Sequence, residues 1–234
     1  MKIPTIHGLI DRRILVNFVA DPDVIRPLLP APFTPKLYRG KAIVGICLIR
    51  LKNIRPKGFP AFTGFSSENG AHRIAVEWES KGKQREGVYI PRRDTSSAFN
   101  ALVGGRIFPG RHYKAEFTVQ ESDGRYQVGF TSSDSTSISI DARKTGQFPP
   151  DSVFGTLDNV SDFFLTGATG FSPNGKKLDG LKLTTDEWKM DALEVSAVHS
   201  SFFEDQTLFP AGTVKFDNAV LMTGISHQWN QVEL

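Results

Sequence analysis

The chain has 234 residues, 39% hydrophobic and 23% charged, with 21 Gly and 14 Pro; that fills a core but spends many residues on turns, and excludes collagenous or wholly disordered chains. A single cysteine, Cys47, excludes a disulfide framework and a thiolate metal cage, and the lack of an apolar run of about 18 residues excludes a membrane-spanning helix. The formal charge of +3 hides an asymmetry: residues 1–117 hold 20 Lys/Arg against 9 Asp/Glu, and residues 118–234 hold 8 against 16.

Two such halves attract each other within one fold or one oligomer, or the basic half lines a site for an anion. Basic residues scattered through strand-like segments, without interleaved aromatics, do not fit a nucleic-acid binder. The opening segment has neither the apolar run of a secretory signal nor the pattern of a transit peptide, so the expectation is one soluble, cytoplasmic domain over residues 1–234, without nucleic-acid or membrane partners.

The apolar run from Ile14 to Ala20 predicts a strand, and Asp21 with Pro22 predicts the capped start of a short helix. Ala42 to Leu51 predicts a strand with little exposure, in which Cys47 is a core thiol. Residues 55–70 are loop by composition. Strands follow at Arg73 to Glu79 and Arg85 to Ile90, around Lys81-Gly82-Lys83. A helix capped by Asp94 or Thr95 is expected to end at Gly104-Gly105. Tyr113, Ala115, Phe117 and Val119 alternate with polar residues, Asp123-Gly124 turns the chain, and Tyr126, Val128 and Phe130 alternate again, which predicts a hairpin. Another strand spans Ser135 to Asp141, and a helix spans Leu157 to Leu165. A Gly/Pro/Asn-rich stretch then leads to late strands at Trp188 to His199 and Thr213 to Ile225. About ten strands and three short helices make a mainly β protein, a barrel or strongly curved antiparallel sheet with helices at its margin.

No dinucleotide fingerprint or Walker A sequence is present, so no cofactor is expected. The segment 64–68 fails as a nucleophile elbow at Glu68. The histidines His7, His72, His112, His199 and His227 are far apart, and no metal site is expected.

The segment from Asn17 to Phe33 resembles the opening of the acetoacetate decarboxylase-like superfamily. Similarity continues through the Gly40 to Pro60 segment, Glu68-Asn69, the strand at Gly87 to Arg92, and Phe108-Pro109-Gly110-Arg111-His112. It is greatest to the DUF2071 or YqjF-like conserved proteins, and covers roughly residues 11–130 well. The resemblance implies a mainly β fold with an internal cavity. The decarboxylases carry paired lysines in the Phe-Pro element, one forming a Schiff base. Gly110 and Arg111 stand there in this sequence, and neither can form that imine. Lys114, the nearest lysine, alternates onto a polar strand face.

Arg111 and His112 are therefore candidates for an anion clamp and a proton donor. Glu68 matches a site carboxylate of the enzymes and is a candidate base, so Glu68 and His112 are the expected catalytic residues. In Arg92-Arg93 and in Arg12-Arg13 only one neighbour can face a cavity, and Arg92 and Arg12 are chosen, the latter because an arginine of the enzymes near this position reaches substrate. Phe59, Phe62 and Phe65 recur in a Gly/Pro-rich segment as a lid or a subunit contact, with Phe65 against the ligand. The expected function is binding of a small organic acid or carbonyl compound, without Schiff-base chemistry. The alternatives are a decarboxylase or other lyase acting on a small keto acid, and a non-enzymatic structural or interaction protein, with a homodimer as the expected assembly.

Overall fold

The computed structural model describes residues 5–103 and 110–234. Strand β1 (Ile6–Ala20) begins eight residues before its apolar run, because from Ile6 onward it pairs with β-strand neighbours on both sides and Ile6 and Ile10 enter the core. Asp21 caps α1 (Pro22–Ile25) by accepting the Asp23 N–H at 3.0 Å. Two short strands, β2 (Thr34–Pro35) and β3 (Leu37–Tyr38), lead into the long β4 (Lys41–Pro56). Next come β5 (Phe65–Ser80), β6 (Lys83–Thr95), α2 (Ala98–Val103) and the meander β7 (His112–Ser122), β8 (Arg125–Ser132) and β9 (Ser137–Lys144). Helix α3 (Leu157–Thr166) precedes β10 (Thr169–Asn174), β11 (Lys177–Thr184), β12 (Asp191–Ser200) and β13 (Val214–Val232). The expected helix stop at Gly104-Gly105 lies outside the described residues.

Two expectations need correction. Residues 65–70 are strand rather than loop, since the polar start of β5 pairs with β4 on one side and, from Asn69 onward, with β6 on the other. The Gly/Pro/Asn-rich stretch contains the hairpin β10–β11, turned at Gly175 with φ of 61°. An Asn-Gly pair is the usual sequence of such a turn.

The strands form a mainly antiparallel sheet in the order β11-β10-β6-β7-β8-β9-β12-β13-β1-β4-β5-β2, and the further pairings β5–β6 and β11–β13 return the hydrogen-bonded path on itself. The pairings β6–β7 and β6–β10 are parallel, two short exceptions in a sheet that is mainly antiparallel as expected. Short helices lie at the margin. Among the described residues no helix is long and apolar enough to cross a membrane.

The strands β13, β1, β4, β5 and β6 separate two cores. One face carries Ile14, Val16, Ile46, Leu48 and Ile74, packed towards Val128, Phe130 and Ile140 of the meander. The other carries Ile10, Leu15, Cys47, Ile49 and Ala75, covered by Phe154 and by Val160, Phe163 and Phe164 of α3. Thr156 caps α3, accepting the Asn159 N–H at 3.2 Å. Each buried large side chain of that helix contributes about 1.5–3 kcal/mol of apolar transfer free energy.

Register breaks decide which face a side chain takes. At Asp11 two residues of β1 oppose one of β4, since Ile10 pairs with Leu51 and Arg12 with Arg50. That bulge moves Arg13 onto the face of Ile10 and turns Arg12 to the other. In β6 the break lies at Ile90-Pro91, between the His72–Arg92 and Ile74–Tyr89 pairs; Pro91 has no N–H to give a ladder. There the break puts Arg93 on the face of Ile90.

Candidate functional site

On the α3 side of the sheet lies a cavity of about 160 Å³. Its floor is built from four adjacent strands, which contribute Arg13 (β1), Cys47 (β4), Arg73 (β5) and Arg93 (β6). Its walls are mostly apolar and include Ile49, Ile90, Phe164, Trp188 and Trp229. No lysine lines it among the described residues.

The Arg13 Nε donates to Cys47 Sγ at 3.3 Å, and its Nη1 lies 3.9 Å from Met222 Sδ. Arg73 is 3% exposed and its guanidinium stacks on Phe164, 4.2 Å from the ring centroid. Its Nη2 donates to Asn17 Oδ1, and Asn17 is held in turn by donating to Asn218 at 2.7 Å. Gly45 stands between Asn17 and Arg73 in the cross-strand row. A Cβ there would come 2.2 Å from the Val16 carbonyl oxygen, so only glycine lets β1 and β4 approach so closely. The Arg93 Nε donates to Ser172 Oγ at 2.9 Å, on β10.

No carboxylate makes an ion pair with Arg13, Arg73 or Arg93 among the described residues. Arg73 Nε, Asn100 Oδ1 and Trp188 Nε1, on three residues of the cavity wall, have no hydrogen-bond partner among the described residues. A buried polar group without a partner costs about 1–3 kcal/mol, more when charged. Burial pushes the Arg73 guanidinium down to about 9, with Cys47 opposing and Arg13 adding to the shift. Burial takes Arg93 down to about 10, again opposed by Cys47. Both are cationic at neutral pH.

His112 borders the cavity beside Arg93, its partner across β6–β7. Its Nδ1 lies 3.2 Å from the Gly110 carbonyl oxygen. Burial, reinforced by the Arg93 charge and opposed by that carbonyl, lowers its pKa to about 3, so its ring is neutral at physiological pH. The described residues contain no cluster of His, Cys, Asp and Glu suited to a metal ion. The cavity therefore offers cationic donors, a thiol and a neutral imidazole within mostly apolar walls; Asp94, which also borders it, is paired with Arg92, and the arrangement suits desolvating and holding a small anion.

The model of DUF2071, described as an uncharacterized conserved protein, matches residues 10–221. The chain belongs to that family. No curated protein matches this DUF2071 chain. Among solved structures it is similar to the acetoacetate decarboxylase of Legionella pneumophila subsp. pneumophila str. Philadelphia 1, at 14% identity, TM-score 0.59, and 98% and 87% coverage of the two chains. It is also similar to an acetoacetate decarboxylase-like enzyme of Sphingomonas wittichii RW1, at 12% identity, TM-score 0.60, and coverage of 100% and 94%. A third is the enduracididine biosynthesis enzyme MppR complexed with pyruvate, at 13% identity, TM-score 0.57, and coverage of 99% and 89%. These likenesses establish the acetoacetate decarboxylase-like fold for this DUF2071 protein.

Of the six residues singled out in the sequence, Phe65 and His112 line the cavity. Arg12 lies on the opposite face, nearly wholly buried, where it pairs with Glu68 at 2.5 Å and with Glu121. Glu68 also takes the Arg50 Nε at 2.5 Å and does not line the cavity. Arg92 shares Arg12's face and pairs with Asp94 at 2.7 Å and Asp134 at 2.6 Å. Arg111 is exposed, its guanidinium 4.9 Å from the centroid of the Tyr113 ring. The expected pocket shared by Glu68 and Arg111 is thus replaced in this DUF2071 protein by one built on Arg13, Arg73 and Arg93. Phe108-Pro109 lies outside the described residues. Lys114 is exposed and donates to the Ser96 carbonyl.

Sequence reading passed over Arg73, which opens an apolar strand like an ordinary edge charge. The available signal was Ala71 and Ala75, the small residues flanking it on the same face, which leave room for a long side chain to turn inward.

Proposed function

We propose that this protein binds a small organic anion, of the keto acid or other carbonyl-bearing class, through Arg13, Arg73 and Arg93, without imine chemistry. One observation carries the reading: the three guanidinium groups share one largely apolar cavity, and none pairs with a carboxylate among the described residues. An arginine fork matches a carboxylate with two parallel N–H donors, and low polarity around it strengthens the contact. His112 and Phe65 border the space the ligand would fill, and Phe65 packs against its apolar part. Glu68, Arg12 and Arg92 take a different role: they fix the strands from behind. The pyruvate bound by MppR supports the ligand class. The absence of lysine from the described lining supports a non-covalent mode, because an imine needs an amine in reach of the carbonyl.

Trp188 and Trp229 line the cavity and report on its occupancy. Titration with pyruvate and with acetoacetate is expected to change tryptophan fluorescence saturably, and Arg73→Met is expected to weaken binding about tenfold or more. Borohydride reduction of the loaded protein is expected to leave its intact mass unchanged. Absence of any saturable change with either acid overturns anion binding, and a stoichiometric reduced adduct on one lysine overturns the non-covalent mode.

A further inference from the structure

We propose that Cys47 is a nucleophile facing the cavity, and that it takes small carboxylates bearing an electrophilic carbon, in particular α,β-unsaturated ones. The inference rests on the anion-binding reading above, since the arginines are what bring such a ligand to the sulfur.

A buried cysteine in an apolar strand is by itself an inert core residue. Here the surroundings of the sulfur differ from those of a core thiol. The Arg13 Nε–H points at Sγ from 3.3 Å, so the sulfur meets a guanidinium donor on the cavity side rather than only apolar neighbours. Independently of the thiol, Arg73 lies 97% buried on the same cavity wall, and its Nε has no hydrogen-bond partner among the described residues. Cys47 pairs across β4–β5 with Ala71, which pairs across β5–β6 with Arg93. Directly opposed residues lie about 4.5–5.5 Å apart at Cβ, so sulfur and guanidinium are two steps apart along one row, with the small Ala71 between them. A carboxylate held at Arg73 or Arg93 therefore places carbons one or two bonds away over the sulfur.

The chemistry closes without a further reactant. Sγ forms a bond to the β-carbon of the unsaturated acid, the π pair moves to the α-carbon, and the α-carbon takes up the proton that the thiol has given up. The net change is addition of S–H across the C=C bond.

Because Cys47 is the chain's one cysteine, intact mass reads it without ambiguity. The probes are iodoacetate and iodoacetamide, which deliver the same carbon to sulfur with loss of iodide and differ in charge. A cleft lined by one sign of charge raises the local concentration of the opposite ion by about 10- to 1000-fold. Native protein is accordingly expected to be labelled by iodoacetate about tenfold or more faster than by iodoacetamide, relative to the ratio for free cysteine in the same buffer. Pyruvate is expected to slow iodoacetate, and Arg73→Gln and Arg13→Gln, made separately, are each expected to return the ratio towards that of free cysteine. Acrylate, the smallest member of the proposed class, is expected to add once.

A native ratio equal to that of free cysteine, labelling seen only in urea, or failure of acrylate to add overturns the inference; the unaltered protein supplies all three readings even if a variant fails to fold. Fluorescence titration of Cys47→Ala with pyruvate separates the two levels. Retained binding alongside an ordinary labelling ratio removes the nucleophile and leaves the anion site, whereas absent binding in both Cys47→Ala and the unaltered protein removes the anion site itself.

Discussion

The two faces of the β1–β4–β5–β6 sheet hold arginines from the same short stretches of chain and treat them in opposite ways. Behind the sheet, Arg12 and Arg50 share Glu68 and Glu121, while Arg92 is held between Asp94 and Asp134. Burial alone would lower Arg50 and Arg92, but their carboxylate partners outweigh it and hold both above the ordinary arginine value. On the cavity side Arg13, Arg73 and Arg93 have sulfur, amide and hydroxyl partners, and burial prevails at Arg73 and Arg93. Adjacent residues thus divide between neutralised pairs that fasten strands and charges left to face a cavity. A charge kept without a counterion is an arrangement that folding alone does not favour, and it marks the face on which a ligand is the natural counterion.

The largest expected effect tests that division through stability. Removing one partner of a buried ion pair costs about 3–5 kcal/mol; because Arg50 continues to serve Glu68 and Glu121, Arg12→Leu is expected to lose about 2–3 kcal/mol. Arg73→Leu removes a buried charge that no carboxylate balances among the described residues, and is expected to leave stability unchanged or raise it. Urea denaturation of the two variants beside the parent reads both. Equal losses would break the comparison, since Arg73 would then be as much a structural residue as Arg12.

An intermediate effect concerns pH and sharpens the account of the rear face. His72 is fully buried there, its ring centroid 4.5 Å from that of Phe202. Its Nδ1 is 3.8 Å from Asp94, too far for a hydrogen bond. Burial, then the Arg92 charge, lowers its pKa to about 3 from an ordinary 6.5. The unfolded chain therefore binds this proton more readily than the folded one at any pH below about 6.5. The stability due to neutral His72 is fully present above that pH and is lost as the pH falls towards about 3. Between pH 6.5 and pH 5 one such histidine removes about 2 kcal/mol. His72→Leu is expected to flatten the fall in unfolding free energy over that interval by about this amount. An unchanged slope would mean that Asp94 stabilises an imidazolium after all.

Much of the architecture was legible from local pattern. The alternation through Tyr113, Phe117 and Val119 gave the β7–β8 hairpin, and Asp21-Pro22 gave the start of α1. The order of short motifs gave the decarboxylase-like fold. What escaped were features that do not repeat. The polar start of β5 is a strand because its neighbours pair with it, and composition does not carry that information. Parity excluded one arginine from each adjacent pair, but the bulges at Asp11 and Pro91 decided which one, and a single inserted residue exchanges the two faces. Pro91 was the visible mark of one break; nothing at Asp11 announced the other.

The smallest expected effect concerns Arg111, which the family position favoured as a ligand clamp. Its guanidinium is exposed and lies 4.9 Å from the Tyr113 ring centroid, while Arg92 approaches the same ring more closely, at 4.2 Å. A cation over an exposed aromatic face contributes about 0.5–1 kcal/mol, and the closer Arg92 remains when Arg111 is removed. Arg111→Ala is therefore expected to change stability by less than about 0.5 kcal/mol and pyruvate binding by less than about twofold. The value of so small an effect is its contrast with Arg73→Met: one arginine next to His112 in sequence, the other sharing its cavity, with opposite expected consequences. Fluorescence titration of both variants under the same conditions makes the measurement. A tenfold loss of binding in Arg111→Ala would mean that the chain around Gly110 brings this arginine over the ligand, and that the solvent-facing side of β7 belongs to the binding site along with the buried face.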